Sequence, residues 1–511
     1  MTIDKLRVIG AGAMGRGIAQ VAVAAGYNVE LTDASDDAVT AALEFVTRML
    51  HRSAEKGQRS PQDAEAAIAR LTRGTPTAPA DDIDLVIEAV VEKLDVKRAI
   101  FTQVEHAAPN AILASNTSSL SITAIAAGLQ DPSRLLGLHF FNPVPLMRLV
   151  EVIPGVRTSP ELITAATHFV ATLGHTAVHA KDTPGFLVNH LGRALPTESL
   201  ALLSEGVASV ADIDRIARDT VGLRMGPFEL MDLTGLDVSH PVMEIVWSGF
   251  YADPRLRPSV ESAGRLAGGL LGRKTGEGFY RYRDGAPHVL PEPGIAATAD
   301  AIPVFVHDNE AFAELLRASG VHVIDAPSET SVAVVFPVGE PAYRAALAAG
   351  LDPARTVGID PLSIGRERLT VVAPATLDRT VGRSALRALA ATGRAVTVTA
   401  DATAPVAQHL IASIVNLSCA LAEQGIGKPG DIDLGARLGL GYPSGPLELG
   451  DALGPTLIVR ILDGLHAYTG DPRYRTSTWL RSRAEQGMSL RDNGIRPDDL
   501  INEKGRPWTG H

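Results

Sequence analysis

Arg7-Val8-Ile9-Gly10-Ala11-Gly12-Ala13-Met14-Gly15 is the stretch on which the reading of this sequence turns. A short apolar run stops at a glycine, and a G-x-G-x-x-G follows. A helical pattern then runs over residues 14–25, Gly26 breaks it, and a second apolar run over 28–32 ends at Asp33. Strand, glycine turn, helix and strand within about 30 residues make a βαβ unit. Gly10 allows the tight turn, Gly12 lets backbone approach a pyrophosphate, and Gly15 lets helix and strand pack closely. The helix start, at Ala13 and Met14, offers free N–H groups and partial positive charge to phosphates. Asp33 stands 18 residues beyond Gly15, where an acid accepts hydrogen bonds from an adenosine ribose and repels a 2′-phosphate. The unit therefore reads as an NAD site. A plain glycine-rich turn is the competing reading, and it leaves the acid unexplained.

Outward from this unit, helical patterns cover residues 36–56 and 60–70, and strands are expected at 84–88, 111–114 and 135–139, with a helix over 95–106 between. Alternation of this kind implies a parallel sheet with helices on both faces, a Rossmann-type domain over residues 1–184. From 185 to 284 the pattern is helical, with 184–206, 211–221 and 227–232 as the clearest segments and no strand before 278–282. A Pro/Gly-rich piece, 284–294, reads as a linker. Residues 285–400 return to α/β texture, with strand-like runs at 302–306, 321–325, 332–336 and 394–398, and 401–511 are helical again.

The chain repeats itself. Asp212-Ile213-Asp214 recurs 219 residues later as Asp431-Ile432-Asp433, and Gly226-Pro227-Phe228-Glu229-Leu230-Met231-Asp232 recurs at the same offset as Gly445-Pro446-Leu447-Glu448-Leu449-Gly450-Asp451. The helical domain is thus expected twice, the second copy preceded by a shortened α/β remnant.

Composition narrows the class. At roughly 150 residues per domain, 511 residues predict about three or four domains. A net charge of −11 argues against a nucleic-acid partner, which asks for a basic stripe. The single cysteine excludes an intrachain disulfide and fits a reducing compartment. No metal is asked for by the motifs. The N-terminus lacks the pattern of a secretory signal, and no uninterrupted run of 18 apolar residues stands out as a membrane span, so a cytoplasmic protein without a membrane partner is expected.

Further motifs make a family resemblance. Glu88-Ala89-Val90-Val91-Glu92, Ser115-Asn116-Thr117-Ser118-Ser119, His139-Phe140-Phe141-Asn142-Pro143, Leu149-Val150-Glu151-Val152, Asp182-Thr183-Pro184-Gly185-Phe186 and Lys274-Thr275-Gly276-Glu277-Gly278-Phe279-Tyr280 stand in one order. With the glycine loop they resemble the L-3-hydroxyacyl-CoA dehydrogenases over residues 3–285. The duplication resembles the double-length bacterial members that act on 3-hydroxybutyryl-CoA or 3-hydroxyadipyl-CoA in phenylacetate catabolism. The resemblance implies NAD-dependent oxidation of a 3-hydroxyacyl-CoA to the 3-keto thioester, the chemistry of β-oxidation in fatty acid metabolism.

The same resemblance implies roles for particular residues. His139 is the general base, a task suited to imidazole near neutrality. Glu151 is its partner, Ser118 meets the substrate oxygen, and Asn189 lies near the substrate carbonyl. Glu92, Lys97, Asn116, Ser118, Asn142 and Lys274 are cofactor contacts, and Lys56, beside His51, Arg52 and Arg59, meets the CoA portion together with Ser118. Each has a plainer alternative. His139 reads alone as a structural histidine, Glu151 as a surface carboxylate, Ser118 or Ser119 as a helix cap, Asn189 as a helix-face amide, Glu92 and Lys97 as a surface ion pair, and Lys56 as part of a solvated helix face. In the second copy Asp360 stands where His139 does, Thr370 where Glu151 does and Gln408 where Asn189 does, and no G-x-G-x-x-G opens residues 300–330. One active site per chain is expected, with the two helical domains packed as an intrachain pseudo-dimer; a homo-oligomer of the whole chain stays open beside it. Two other functions remain in view: a dehydrogenase of free hydroxy acids on the same fold, and a non-catalytic NAD-binding scaffold.

Overall fold

Short apolar strands rich in Val, Ile and Leu build the larger of the two main sheets. The structure, a computed structural model, describes residues 3–288, 291–292, 294–296, 302–495 and 500. The chain forms two compact units. The first comprises the described parts of Met1–His190, Gln424–Leu440 and Asp492–His511, the second Leu191–Glu423 and Gly441–Arg491.

In the first unit, β1 (Lys5–Ile9), β2 (Asn28–Thr32), β3 (Leu71–Arg73), β4 (Leu85–Glu88), β5 (Ile112–Ser115), β6 (Leu135–Phe140), β7 (Leu149–Pro154) and β8 (Thr176–His179) lie in the order β3-β2-β1-β4-β5-β6-β7-β8. β4, β5 and β6 are buried along their whole length. The helix Ala13–Ala24 turns Ile18, Ala19, Val21, Ala22 and Val23 onto this sheet, and they join Leu6, Val8, Leu31, Leu138, Val150 and Phe169 in one core. Each such side chain contributes about 1.5–3 kcal/mol on burial.

The expected parallel sheet carries an antiparallel pair: β6 and β7 are antiparallel, while the other pairs are parallel. The connection between β6 and β7 is too short for a parallel crossover, which takes a dozen residues or more. β3 and β8 carry little sequence signal because each is only partly buried. The helix Pro429–Gly439 also belongs to this unit. It approaches closely through glycine, since a Cβ on Gly439 would come within 2.7 Å of Val188 and 3.0 Å of Leu149.

The second unit holds a small hairpin, β9 (Tyr282–Arg283) with β10 (Ala286–Pro287), which straddles the start of the expected linker. Its main sheet contains β11 (Val304–Val306), β12 (Val323–Ile324), β13 (Val332–Val335), β14 (Thr356–Ile359), β15 (Arg368–Ala373) and β16 (Ala395–Ala400) in the order β12-β11-β13-β14-β15-β16. Only β14 and β15 pair antiparallel. The helices include Ala194–Ser204, Val210–Ile216, Pro227–Thr234, Leu236–Gly249 and Val260–Ala267 before this sheet, and Val406–Glu423, Pro446–Leu453, Pro455–Thr469 and Thr478–Gln486 after it. The expected continuous helix over 184–206 is interrupted, with Gly185 at φ +77° and Phe186 at φ +47°.

Two buried carboxylates lock the first set of helices. Asp214 accepts the N–H groups of Phe228 (2.9 Å) and Glu229 (3.1 Å) and the Tyr280 hydroxyl (2.7 Å). Asp232 accepts the N–H groups of Phe279 and Tyr280, both at 2.9 Å, and the Tyr282 hydroxyl at 3.0 Å. Gly226 stands where a Cβ would fall 2.2 Å from Asp214, and Gly278 where one would fall 2.1 Å from Asp232. These motif residues therefore hold the fold. The helix Val406–Glu423 has the length and hydropathy to cross a membrane, but it is 89% buried inside the structure as a core helix. It packs on Ala194–Ser204, where buried Glu198 accepts His409 Nδ1–H at 2.7 Å and the Tyr474 hydroxyl at 2.8 Å. Cys419, on the same helix, is buried and not in a disulfide.

Candidate active site

The carboxyl end of the first sheet gathers the residues singled out by sequence. After β1, Gly10 turns with φ +111°, and its N–H donates to the Thr32 carbonyl at 2.8 Å. A Cβ on Gly15 would lie 1.7 Å from the Gly10 carbonyl oxygen, so only glycine fits. Gly12 is different: a Cβ there would meet nothing within 4 Å. It caps the helix Ala13–Ala24 without any side-chain hydrogen bond. An uncapped helix start beneath open space suits a pyrophosphate. Asp33 accepts the Ala11 N–H at 2.7 Å and the Ser35 N–H at 3.0 Å, so the acid braces the loop. These features fit NAD.

His139 and Glu151 are directly opposite each other in the antiparallel register of β6 and β7. That hairpin is why residues 12 apart in sequence meet. The Nδ1–Oε2 distance is 2.6 Å, with His139 5% exposed and Glu151 0%. A carboxylate only accepts, so Nδ1 carries the hydrogen and Nε2 presents its lone pair. Glu151 Oε1 accepts the N–H groups of Leu187 (2.9 Å) and Val188 (2.8 Å). Those donors follow Phe186, held at φ +47°, a backbone region that bulky residues rarely adopt. The Phe141 and Phe186 rings sit 4.4 and 5.9 Å from the imidazole. Glu151 is thus no surface carboxylate.

Ser118 is exposed. Its N–H donates to Glu92 at 2.9 Å, its hydroxyl lies 3.3 Å from the same oxygen, and its carbonyl accepts the Asn189 amide at 3.4 Å. Ser118 and Asn189 are therefore brought together. Neither Ser118 nor Ser119 caps the next helix; Ser121 does so for Ile122–Ala126. Asn116 accepts the Phe140 N–H at 2.8 Å and ties β5 to the histidine strand. Burial by itself pushes the Glu92 carboxyl up, but the Thr117 hydroxyl, Lys97 and the Ser119 hydroxyl outweigh it and hold the group below its ordinary value.

Lys97 departs from the reading as a surface ion pair. It is 0% exposed, paired with Glu88 at 2.6 Å and 3.3 Å from Glu92, so it is a buried charge. Glu88 had no assigned task from sequence. The available signal was a carboxylate closing a strand buried throughout, where a charge demands a partner. Leu187 and Val188 were likewise missed because they act through backbone N–H groups. Asn142 is exposed at the β6–β7 turn, and Lys56 is exposed at the end of Asp36–Glu55. Lys274 lies in the second unit and pairs with Asp237 at 2.6 Å.

Two family models match the chain. The model described as 3-hydroxyacyl-CoA dehydrogenase, NAD binding domain, matches residues 5–183. The one described as 3-hydroxyacyl-CoA dehydrogenase, C-terminal domain, matches residues 185–282 and 406–496. A 3-hydroxyadipyl-CoA dehydrogenase of Escherichia coli K12 is 36% identical over 95% of this chain and 98% of its own length. A probable 3-hydroxybutyryl-CoA dehydrogenase of Bacillus subtilis is 39% identical over 56% of this chain and 99% of its own. The crystal structure of 3-hydroxybutyryl-CoA dehydrogenase from Escherichia coli K12 is similar with a TM-score of 0.83 and 34% identity, covering 95% of this chain and 99% of that one.

Proposed function

Because the chain belongs to the 3-hydroxyacyl-CoA dehydrogenase family of NAD-dependent oxidoreductases, we propose that His139 is the base that accepts the 3-hydroxyl proton of an (S)-3-hydroxyacyl-CoA. The observation that carries this reading is the 2.6 Å bond from Nδ1 to Glu151, which turns the Nε2 lone pair to the proton. Glu151, gripped by two backbone N–H groups, orients the ring and balances its charge once protonated. The Ser118 hydroxyl contacts the substrate oxygen, and the Asn189 amide stabilises negative charge at the thioester carbonyl. NAD, when bound, accepts the hydride from C3. The 10–15 loop would hold its pyrophosphate and Asp33 its ribose, with Glu92, Asn116 and Asn142 as further contacts. Lys56 and its basic neighbours meet the CoA phosphates.

The names of the relatives support 3-hydroxybutyryl-CoA or 3-hydroxyadipyl-CoA as substrate. NADH consumption with acetoacetyl-CoA, set against free keto acids, tests this class. Turnover of free acids alone overturns it. His139→Ala should abolish hydride transfer while NADH still binds; a variant that turns over normally removes the base assignment, and a parent chain that binds NADH but turns over neither thioester nor free acid leaves the scaffold reading.

We also infer that residues 285–400 and 401–511 are a contracted copy of domains 1–184 and 185–284. Asp182 accepts from Ile122 and Thr123, and Asp401, at the repeat offset, accepts from Ala342 and Tyr343. Asp451 grips Leu490 and Ser489 much as Asp232 grips Tyr280 and Phe279. Asp360 and Thr370 face each other across β14 and β15, as His139 and Glu151 do across β6 and β7. The packing of Ala194–Ser204 on Val406–Glu423, sealed by Glu198 and His409, supports the intrachain pseudo-dimer. Among the described residues Val406–Glu423 is the one helix long and apolar enough to cross a membrane, and its burial as a core helix supports a cytoplasmic enzyme.

A further inference from the structure

The turn that serves Glu151 rests on a helix from far along the chain. Leu187 and Val188, whose N–H groups meet the carboxylate, are buried. The helix Pro429–Gly439 of the same unit packs against them through glycine. A Cβ on Gly435 would lie 3.4 Å from Val188 Cγ2, and one on Gly439 only 2.7 Å from Val188 Cγ1. Ahead of the helix, a Cβ on Gly427 would come within 2.9 Å of Leu187 Cδ1. The Lys181 N–H donates to the Ile426 carbonyl at 2.9 Å and fixes this approach. At the repeat offset the same bond recurs with the copies exchanged: the Ala400 N–H donates to the Val207 carbonyl, also at 2.9 Å.

The repeat itself does not require these glycines. At the same offset Gly435 and Gly439 stand opposite Ile216 and Thr220, both buried side chains. Neither glycine has a positive φ, so the backbone does not ask for one, and glycine is a poor helix former. What they supply is room for Val188. That residue opens the short helix Val188–Leu191 and is β-branched, so its χ1 has little freedom to yield. A methyl at position 439 therefore displaces the backbone of the turn. Carbon atoms in contact lie about 3.5–4.0 Å apart, so relieving the 2.7 Å approach takes a shift of about 1 Å.

We propose that Gly439 is a positioning residue: by leaving room for Val188 it holds the turn at which the Leu187 and Val188 N–H groups reach Glu151, so that a helix of the second copy completes the dyad of the first. The proposal rests on the role given to Glu151 above. A shift of the two donors releases one carboxylate oxygen and tilts the other away from His139 Nδ1. Misplacement of about 1 Å costs on the order of 100-fold in rate.

The test uses full-length Gly439→Ala, Gly435→Ala and Glu151→Gln, and Gly439→Ala combined with Glu151→Gln. NADH oxidation by acetoacetyl-CoA is measured at saturating concentrations. Expected is a kcat about 10–100-fold lower for Gly439→Ala, and one within about threefold of the parent for Gly435→Ala, whose methyl sits at ordinary contact distance. Adding Gly439→Ala to Glu151→Gln should cost less than about threefold more, because the turn acts through that carboxylate. Gly435→Val presses on Val188 from one helical turn back, and with the same combination it decides the matter should Gly439→Ala fail to fold. Losses that multiply in full send the effect by another route, through Asn189 or a general loosening, and overturn the proposal. So does Gly439→Ala within about threefold of the parent while Glu151→Gln is slow, which leaves the dyad intact. Glu151→Gln within about tenfold of the parent instead removes the dyad, and the proposal with it.

Discussion

Glu151→Gln isolates the function of the histidine's partner with almost no change in shape. In the parent, one Glu151 oxygen receives the Leu187 and Val188 N–H groups at 2.9 and 2.8 Å, and the other receives His139 Nδ1–H at 2.6 Å. A glutamine has only one accepting oxygen. The two backbone donors claim it, and the side-chain NH₂ then faces Nδ1. That arrangement turns Nδ1 into an acceptor and moves the ring hydrogen to Nε2, the atom that must take the hydroxyl proton. Tautomer reversal of this kind in a serine protease triad costs about 10⁴-fold. The lost counter-charge gives a second measure. Charge centres about 4 Å apart at an effective dielectric of 20 interact by about 4 kcal/mol, about 10³-fold in rate. The expected kcat for 3-hydroxybutyryl-CoA oxidation is therefore about 10³–10⁴-fold below the parent, with NAD binding unchanged. NADH production under saturating substrate reads the rate, and fluorescence reads the binding. A Glu151→Gln enzyme within about tenfold of the parent kcat refutes the dyad. Glu151→Ala serves as contrast: it leaves two buried N–H groups unpaired, costing about 1–3 kcal/mol of stability for each.

The glycine loop makes a paired prediction. Gly12→Ala fits the fold, because nothing lies within 4 Å of its Cβ, yet it blocks the approach of the pyrophosphate; KM for NAD should rise about 10–100-fold with the thermal midpoint unchanged. Gly15→Ala places a methyl 1.7 Å from the Gly10 carbonyl and should lower the thermal midpoint as well as cofactor affinity; equal stability of the two variants contradicts the geometry. Asp360 gives a pH dependence. Burial pushes its carboxyl up to about 6 from 3.8, so between those pH values the unfolded chain ionises first and stability falls as pH rises, by about 3 kcal/mol in all. That stability is fully present below about pH 4 and is gone above about pH 6. Asp360→Asn should remove this slope, gaining about 1–3 kcal/mol in urea unfolding at pH 8 and little at pH 4, with catalysis unchanged; an unaltered slope assigns it to other groups.

Much of the local structure was legible without coordinates. The helix Asp36–Glu55 carries a Ser35 cap, two acids in its first turn and an apolar stripe at Val39, Ala42, Val46 and Leu50, all of which act within one element. Edge strands such as β8 escaped because their partial burial leaves no alternation to detect. The helix Pro429–Gly439 was readable as a helix, but its membership in the first unit was not. That depends on glycine-lined contact with Leu149 and Val188, far away in the chain.

The sequence by itself determined the βαβ unit, its glycine loop, the acid at its second strand and the internal repeat, because each is a matter of short-range spacing and backbone sterics. It also supplied His139 and Glu151 as candidates, through motif resemblance. Only the tertiary structure decided that they pair, because the contact follows from the antiparallel register of a hairpin and a strained turn that delivers two N–H groups to the carboxylate. It alone decided, too, that Lys97 is sealed inside and bound to Glu88. A charge in a sequence reads as exposed until the fold supplies the partners that let it be buried.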